Sequence, residues 1–200
     1  MAPAALTTEA ILDAAEDVLR RYGPAKTTVV DVARALGVSH GSVYRHFPAK
    51  AALQDAVARR WLARVSEPLE VTADGEGPAA QRLLRWLQQL AAVKQRMARE
   101  DPELFATFER LTAEAREVVA AHVDQLTAQV SRIVAAGVAS GEFAQVDPPT
   151  AGRAVLQATA WFHHPSHAAE WRSPGIGAEL DAVWSLISAG LGARSPVRRD

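Results

Sequence analysis

Apolar positions recur at helical spacing along most of the chain, and no stretch alternates as a half-buried strand would. Ile11, Ala15, Val18, Leu19 and Tyr22 predict a first helix, with Thr7 as its cap, Glu9 near its positive end and Gly23-Pro24 as its stop. Thr28-Val29-Val30-Asp31 has the form of a capping box in which Asp replaces the usual Glu or Gln. It opens a short helix that turns Val32, Ala33 and Leu36 inward and closes at Gly37. Ser39 caps a third, very short helix ending near Phe47-Pro48, and a fourth starts near Lys50 and buries Leu53, Val57 and Trp61. Glu70–Pro78, with two glycines, one proline and three acids, reads as a linker.

Five further helices are expected after that linker. Ala79–Arg99 has two apolar faces, one of Leu83, Leu84, Leu87 and Ala91 and one of Trp86, Leu90, Val93 and Met97, as a helix lodged between neighbours or lining a cavity would. Pro102–Phe108 is a short helical piece. Thr112–Ser140 reads as the longest helix, about 43 Å at 1.5 Å per residue, with Val119, Val123, Leu126, Val130 and Val134 in register. After a turn over Gly141–Pro149, Thr150–His164 and Ile176–Leu191 close the chain, and the Arg198-Arg199-Asp200 tail is expected to fray. The expected fold is all-α, with about nine helices.

Composition supports the helical reading. Of 200 residues 48% are hydrophobic, and 41 are alanine, the strongest helix former. The chain has no cysteine, which excludes disulfides, thiolate metal sites and a cysteine nucleophile. Met1–Ala5 offers neither a basic nor an apolar leader region, and no run of apolar residues is long enough for a membrane span. A cytoplasmic protein without membrane partners is therefore expected. The net charge of −1 conceals an uneven distribution: residues 1–65 carry a net +3, residues 66–200 a net −4, and Arg20–Lys50 alone a net +5. One part of the molecule is suited to meet a polyanion and the other is not.

The chemistry concentrates in Thr27–Lys50, TTVVDVARALGVSHGSVYRHFPAK. Ala33, Gly37 and Val43 stand where a helix-turn-helix needs a small residue at the helix crossing, a glycine in the turn and an apolar anchor. With Val43 and Phe47 inward, the opposite face of the third helix shows Ser39, His40, Gly41, Ser42, Tyr44 and Arg45. A short polar face with a glycine open to close approach suits a recognition helix in a DNA major groove.

At these residues the chain resembles the tetracycline-repressor (TetR) family of bacterial transcriptional regulators. The likeness is carried by AILDAAEDVLRRYG, the segment above and AALQDAV, about residues 7–58, and most specifically by the run Gly-Val-Ser-x-Gly-x-x-Tyr-x-His-Phe. It implies an N-terminal three-helix DNA-binding domain with a linking fourth helix, residues 1–66, and a helical effector-binding and dimerisation domain, residues 67–200. It also implies roles. Thr28, Tyr44, His46 and Lys50 would contact the phosphate backbone, while Ser39, His40, Gly41, Ser42 and Arg45 would face base edges. His40 stands where many relatives carry lysine, and Ala49 where they carry Ser or Asp, so the fourth helix has a weaker cap.

For the C-terminal part, the resemblance implies an effector cavity between the middle helices. Trp86, Leu90, Met97, Phe105, Phe108 and Trp161, with His122 as a polar anchor, are its candidate lining; core packing is the competing role for each. Val155, Ala158, Thr159 and Phe162, together with Leu180, Val183, Trp184, Ile187 and Leu191, are candidates for a two-fold interface. His163, His164 and His167, near Glu170, have the residue types of a metal site, but Pro165 interrupts the helix such ligation needs, and neither metal nor cofactor is expected. Nor is an enzyme, since no nucleophile or carboxylate pair stands at a diagnostic spacing. The reading is a homodimeric regulator, a repressor released from a near-palindromic double-stranded operator by a small apolar effector. The alternatives are a constitutive DNA-binding protein and a helical metal-dependent enzyme built on the His163–His167 cluster.

Overall fold

The computed structural model describes residues 6–192; Met1–Ala5 and the Arg198-Arg199-Asp200 tail lie outside them. The described residues form nine α-helices and no strand: α1 (Thr8–Lys26), α2 (Val29–Leu36), α3 (His40–Tyr44), α4 (Lys50–Ala73), α5 (Ala79–Glu100), α6 (Pro102–Glu114), α7 (Arg116–Ala139), α8 (Pro148–Ala158) and α9 (Ile176–Gly190). Three 3₁₀ turns, Ala160–Phe162, Pro165–His167 and Glu170–Arg172, join α8 to α9. No helix among the described residues is long and apolar enough to cross a membrane.

Two compact units share these elements. The described residues up to Ala63, with Asp101–Ala121, make the first; Arg64–Glu100, with the described residues from His122 onward, make the second. Helices α4 and α7 each run from one unit into the other.

In the first unit the local signals act as expected. The Thr7 side chain accepts from the Ala10 N–H, and α1 kinks at Gly23, with φ 72°. Thr28 and Asp31 complete their capping box, and the hydrogen bonds from Thr28 hold the Asp31 carboxyl below its usual pKa. Gly37 takes the left-handed conformation, φ 67° and ψ 28°, that lets α3 turn away from α2. Ile11, Ala15, Val32, Ala33 and Val43 are buried where these helices meet. Helix α6 packs on α1, and the Trp61 ring of α4 stacks on Phe108 of α6, centroids 4.7 Å apart. Arg60 pairs with Glu9, Asp13 and Glu16 of α1.

The second unit closes over Leu69, Leu83, Trp86, Leu87, Leu90, Val130, Ile133, Val134, Phe143 and Val155. Buried Gln129 joins three helices: its Oε1 accepts from Trp86 Nε1 at 2.8 Å, and its Nε2 donates to the Ser66 carbonyl at 2.9 Å. Glu142 caps α5 from the turn before α8, accepting from the Ala79 and Ala80 N–H groups at 2.6 and 3.0 Å. Gly137 is required by space, because a Cβ there would meet the Phe143 ring at 2.2 Å.

Four segment boundaries differ from the periodicity. The expected linker begins four residues late, because α4 continues through buried Leu69 and Ala73, and its acids Glu70 and Asp74 form ion pairs with Arg132 of α7. The expected helix Thr112–Ser140 is divided at Ala115, with φ −88° and ψ 56°. There the Thr112 hydroxyl bonds back to the carbonyls of Phe108 and Glu109, and Ala115 is buried. Its first turn belongs to α6, which therefore runs past Phe108 to Glu114. Helix α8 stops at Ala158 rather than His164, where buried Thr159 turns its hydroxyl to the Val155 carbonyl and leaves the helix.

Candidate nucleic-acid interface

Helix α3 is five residues long and could not persist alone in water. Buried Val43 and Phe47 anchor it, and Ser39 caps it by accepting from the Ser42 N–H at 3.2 Å. Its remaining side chains lie outward. Ser39, His40, Gly41, Tyr44, Arg45 and His46 are exposed and Ser42 is half-buried. Ser39 and Ser42 share a hydroxyl hydrogen bond at 2.9 Å, and Arg45 Nη2 donates to Ser42 Oγ at 3.2 Å. The His40 and Tyr44 rings meet edge-on at 6.3 Å.

A Cβ added at Gly41 would meet only Ser39 Oγ, at 3.9 Å, so the fold itself places no demand for glycine there. His46 Nδ1 lies 3.3 Å from Thr8 Oγ1 at the start of α1. Thr28 is exposed at the start of α2, but its hydroxyl donates to Asp31 at 2.6 Å and is occupied within the chain. Lys50 Nζ donates to the Ala25 carbonyl at 2.9 Å, tying the start of α4 to the end of α1 and leaving two of its N–H groups for another acceptor. The nine expected contact residues thus lie on α3, its flanks and the starts of α2 and α4, all in the first unit.

The expected effector residues divide between the two units. Phe105 and Phe108 are core of the first unit, packed on Trp61. Trp86 and Leu90 are core of the second, and Met97 packs against that core. Trp161 is 42% exposed, with its ring 4.6 Å from that of His167, and so is a surface residue. His122 alone is a buried polar group with no hydrogen-bond partner on either ring nitrogen. Burial, then the charges of Lys94 and His163, push its pKa down to about 3.

Lys94 is buried on α5, and a signal in the sequence marks it. It continues the apolar row Leu83, Leu87, Leu90 of α5 at helical spacing, where a charge is out of place.

Of the expected interface residues, Val155, Thr159, Phe162, Leu180 and Leu191 are buried in their own chain, and Val183, Trp184 and Ile187 pack against its core. Only Ala158 is exposed, whereas Leu186, which the stripe on α9 did not include, is 76% exposed. The three clustered histidines make local contacts, and the His164 and His167 rings meet edge-on at 6.2 Å. His163 Nε2 lies 3.3 Å from Thr159 Oγ1, His164 Nδ1 lies 2.7 Å from Ser166 Oγ, and the His167 ring lies against that of Trp161 at a tilt of 35°. Among the described residues no three such side chains converge as a metal site.

A short helix anchored by two apolar residues, preceded by a glycine turn and presenting a polar outer face, defines a helix-turn-helix protein with a helical body. Residues 11–57 match the family described as bacterial regulatory proteins, tetR family, and residues 79–184 match the tetracyclin repressor-like C-terminal domain. The chain belongs to the tetracycline-repressor family of bacterial transcriptional regulators. It is 34% identical over 104 residues to the helix-turn-helix-type transcriptional regulator Rv1255c of Mycobacterium tuberculosis, covering 52% of this chain and 49% of that one. It is 48% identical over 48 residues to the helix-turn-helix-type transcriptional repressor Rv3405c of the same species, covering 24% and 26%. The chain thus spans half or less of the length of these curated relatives. In fold it is similar to the fatty acid degradation regulator FadR of Bacillus halodurans (TM-score 0.67, 18% identity, 93% and 96% covered). It is also similar to SmeT, the repressor of the Stenotrophomonas maltophilia multidrug efflux pump SmeDEF (TM-score 0.67, 21% identity, 96% and 93% covered).

Proposed function

We propose that this chain is a ligand-responsive repressor that binds a near-palindromic operator as a homodimer in the cytoplasm. The observation that carries the reading is the outer face of α3. Ser39, His40, Gly41, Ser42, Tyr44 and Arg45 stand outward on an anchored helix, and nothing within the chain crowds a side chain at Gly41. In this reading Tyr44, His46, Lys50 and the start of α2 at Thr28 position the head on phosphates, and the α3 face reads bases. The 48% identity over 48 residues with a transcriptional repressor supports the sign of regulation.

One five-residue recognition helix makes too few contacts for useful specificity, so two heads must act together. The exposed row Ala178, Ala182, Leu186 and Ala189 of α9, and exposed Ala154 and Ala158 of α8, supply mostly small side chains for two-fold packing. The functional boundary is placed near residue 66, with the DNA-reading head before it and the sensing and dimerising body after it. An effector bound more tightly by the non-operator state would weaken operator binding about 5- to 150-fold, for a coupling of about 1–3 kcal/mol.

Selection of bound sequences from a random DNA pool tests the reading. Enrichment of paired, inverted half-sites is expected. A pool that remains unenriched over successive rounds overturns it.

A further inference from the structure

The second unit holds a cavity of about 640 Å³ between the last turns of α5 and the stretch of chain that leads into α9. Gln95 and Arg99 stand in the α5 wall, and Trp171, Arg172, Ser173 and Ile176 in the other; the rest of the lining is alanine. That volume falls within the range of small-molecule sites, about 300–1,000 Å³. Both charged residues of the walls are arginines, and no acid lines the cavity. This runs against its setting, because residues 66–200 carry a net −4.

The walls divide into a polar and an apolar part. Arg99 and Arg172 are exposed, and among the described residues no hydrogen bond or ion pair engages either guanidinium. Arg82, Arg132 and Arg153 of the same unit are bonded to carbonyls or carboxylates of the chain. The helix dipole favours a cation in the last turn of α5, which suits Arg99. A three-residue turn gives Arg172 no such reason. Ser173 Oγ accepts from the Gly175 N–H at 3.4 Å and keeps its own O–H to donate. Trp171 is buried, and its Nε1 donates to the Trp161 carbonyl at 2.9 Å, so what it lends the cavity is apolar surface. Ile176 packs beside Ala91, Phe162 and Leu180, and Gln95 ties α5 to that cluster by donating to the Phe162 carbonyl at 3.2 Å.

We propose that this cavity is the effector site and that it takes a small amphipathic oxyanion, a carboxylate or a phosphate monoester with an apolar remainder. As an effector site it rests on the reading of the chain as a ligand-responsive regulator. The planar forks of Arg99 and Arg172 match the oxygens of either head group, and Ser173 adds a third donor. The remainder of the molecule lies against Trp171 and Ile176. A neutral compound of the same shape would gain the apolar contacts and leave the two guanidiniums to water. A molecule bound here joins the end of α5 to the start of α9. Helix α9 carries the exposed Leu186 row assigned above to two-fold packing, so binding acts on how two copies meet and thereby on the half-site spacing they can read.

The test titrates the full chain at pH 7 with octanoate, octyl phosphate, phenylacetate and phenyl phosphate, below micelle-forming concentrations. Octan-1-ol and benzyl alcohol serve as neutral counterparts, and acetate and inorganic phosphate as heads without a remainder. Calorimetry gives the affinities, and the Trp171 indole resonance, assigned with Trp171→Phe, reports the place of binding. At least one of the four anions is expected to bind about 10-fold or more tightly than its neutral counterpart and than its bare head, and to shift the Trp171 resonance. The carboxylate and phosphate arms then tell which head group the site prefers. Arg99→Gln and Arg172→Gln are expected to keep the helical circular dichroism and to lose most of the preference for the anion, with the affinity for the alcohol unchanged. The proposal is overturned if none of the four anions outbinds its alcohol and its bare head, if binding leaves the Trp171 resonance unmoved, or if the double variant keeps the preference. Should a variant fail to fold, the affinity ratios and the Trp171 shift of the parent protein decide alone. Operator release by a compound that leaves Trp171 unmoved would remove this site and leave the regulator standing. Anion binding beside Trp171 by a chain that selects no DNA would do the reverse.

Discussion

The head and the body of this chain handle polar side chains in opposite ways. On α2 and α3 they lie mostly outward and bond to neighbours three residues away: Thr28 with Asp31, Ser39 with Ser42, Arg45 with Ser42. In the second unit several lie inward and bond across the chain: Trp86 with Gln129, 43 residues apart, and Glu142 with Ala79, 63 apart. A polar group satisfied locally at the surface is available to a partner at little cost. One satisfied at long range in the interior specifies packing, and one left unsatisfied there, such as His122, calls for another explanation.

The sharpest test of this contrast removes an apolar contact from the first unit. Phe108→Ala deletes the ring stacked on Trp61 and is expected to cost about 3–5 kcal/mol, read by urea denaturation. A loss below about 1 kcal/mol would mean that α6 is not part of that core. Next in size is Gln129→Leu, which strands the Trp86 N–H and the Ser66 carbonyl and is expected to cost roughly 2–4 kcal/mol. A neutral outcome would show that the inward polar network is dispensable.

Acidity separates the two regions further. His122 and His163 have native pKa values depressed to about 3 and about 4, so the unfolded chain binds protons first as pH falls through 6.5. Stability is therefore fully present above that range and declines progressively toward pH 4. Lys94, lowered to about 8, adds stability only as pH rises from 8 toward 10.5. Thermal melts at pH 7 and 5 should show this acid loss, and His122→Phe should reduce it; an unchanged acid limb in that variant would detach His122 from the effect.

The smallest expected effect on stability comes from Gly41→Ala. It should leave the fold intact or stabilise it by up to about 1 kcal/mol, because the added methyl meets nothing closer than 3.9 Å. Operator affinity in a gel shift is nevertheless expected to fall, since the methyl occupies space reserved for DNA. Unchanged affinity would take the α3 face out of the interface.

The same contrast explains what was legible beforehand. The caps at Thr7, Thr28 and Ser39, the turn at Gly37 and the anchors Val43 and Phe47 are short-range signals, and each stands in the structure where the sequence places it. Periodicity located the helices of the body but not all their ends. Alanine-rich sequence favours helix on both sides of Ala115, and burial decides where the chain departs from it. An apolar stripe also cannot say what covers it. Phe162, Leu180 and Leu191 carry the pattern of an exposed seam and are core of their own chain.

The sequence by itself therefore determined the helical class, the helix-turn-helix and the outward face of α3, because caps, turn glycine and period act over three or four residues. Only the tertiary structure decided that Glu142 caps α5, that Glu70 and Asp74 bind Arg132 rather than solvate a linker, and that Lys94 and His122 share the interior of the body with His163. Those relations join residues tens of positions apart. Their sign depends on burial, which sets whether a charge is solvated or paired, and burial belongs to the packed chain rather than to any stretch of it.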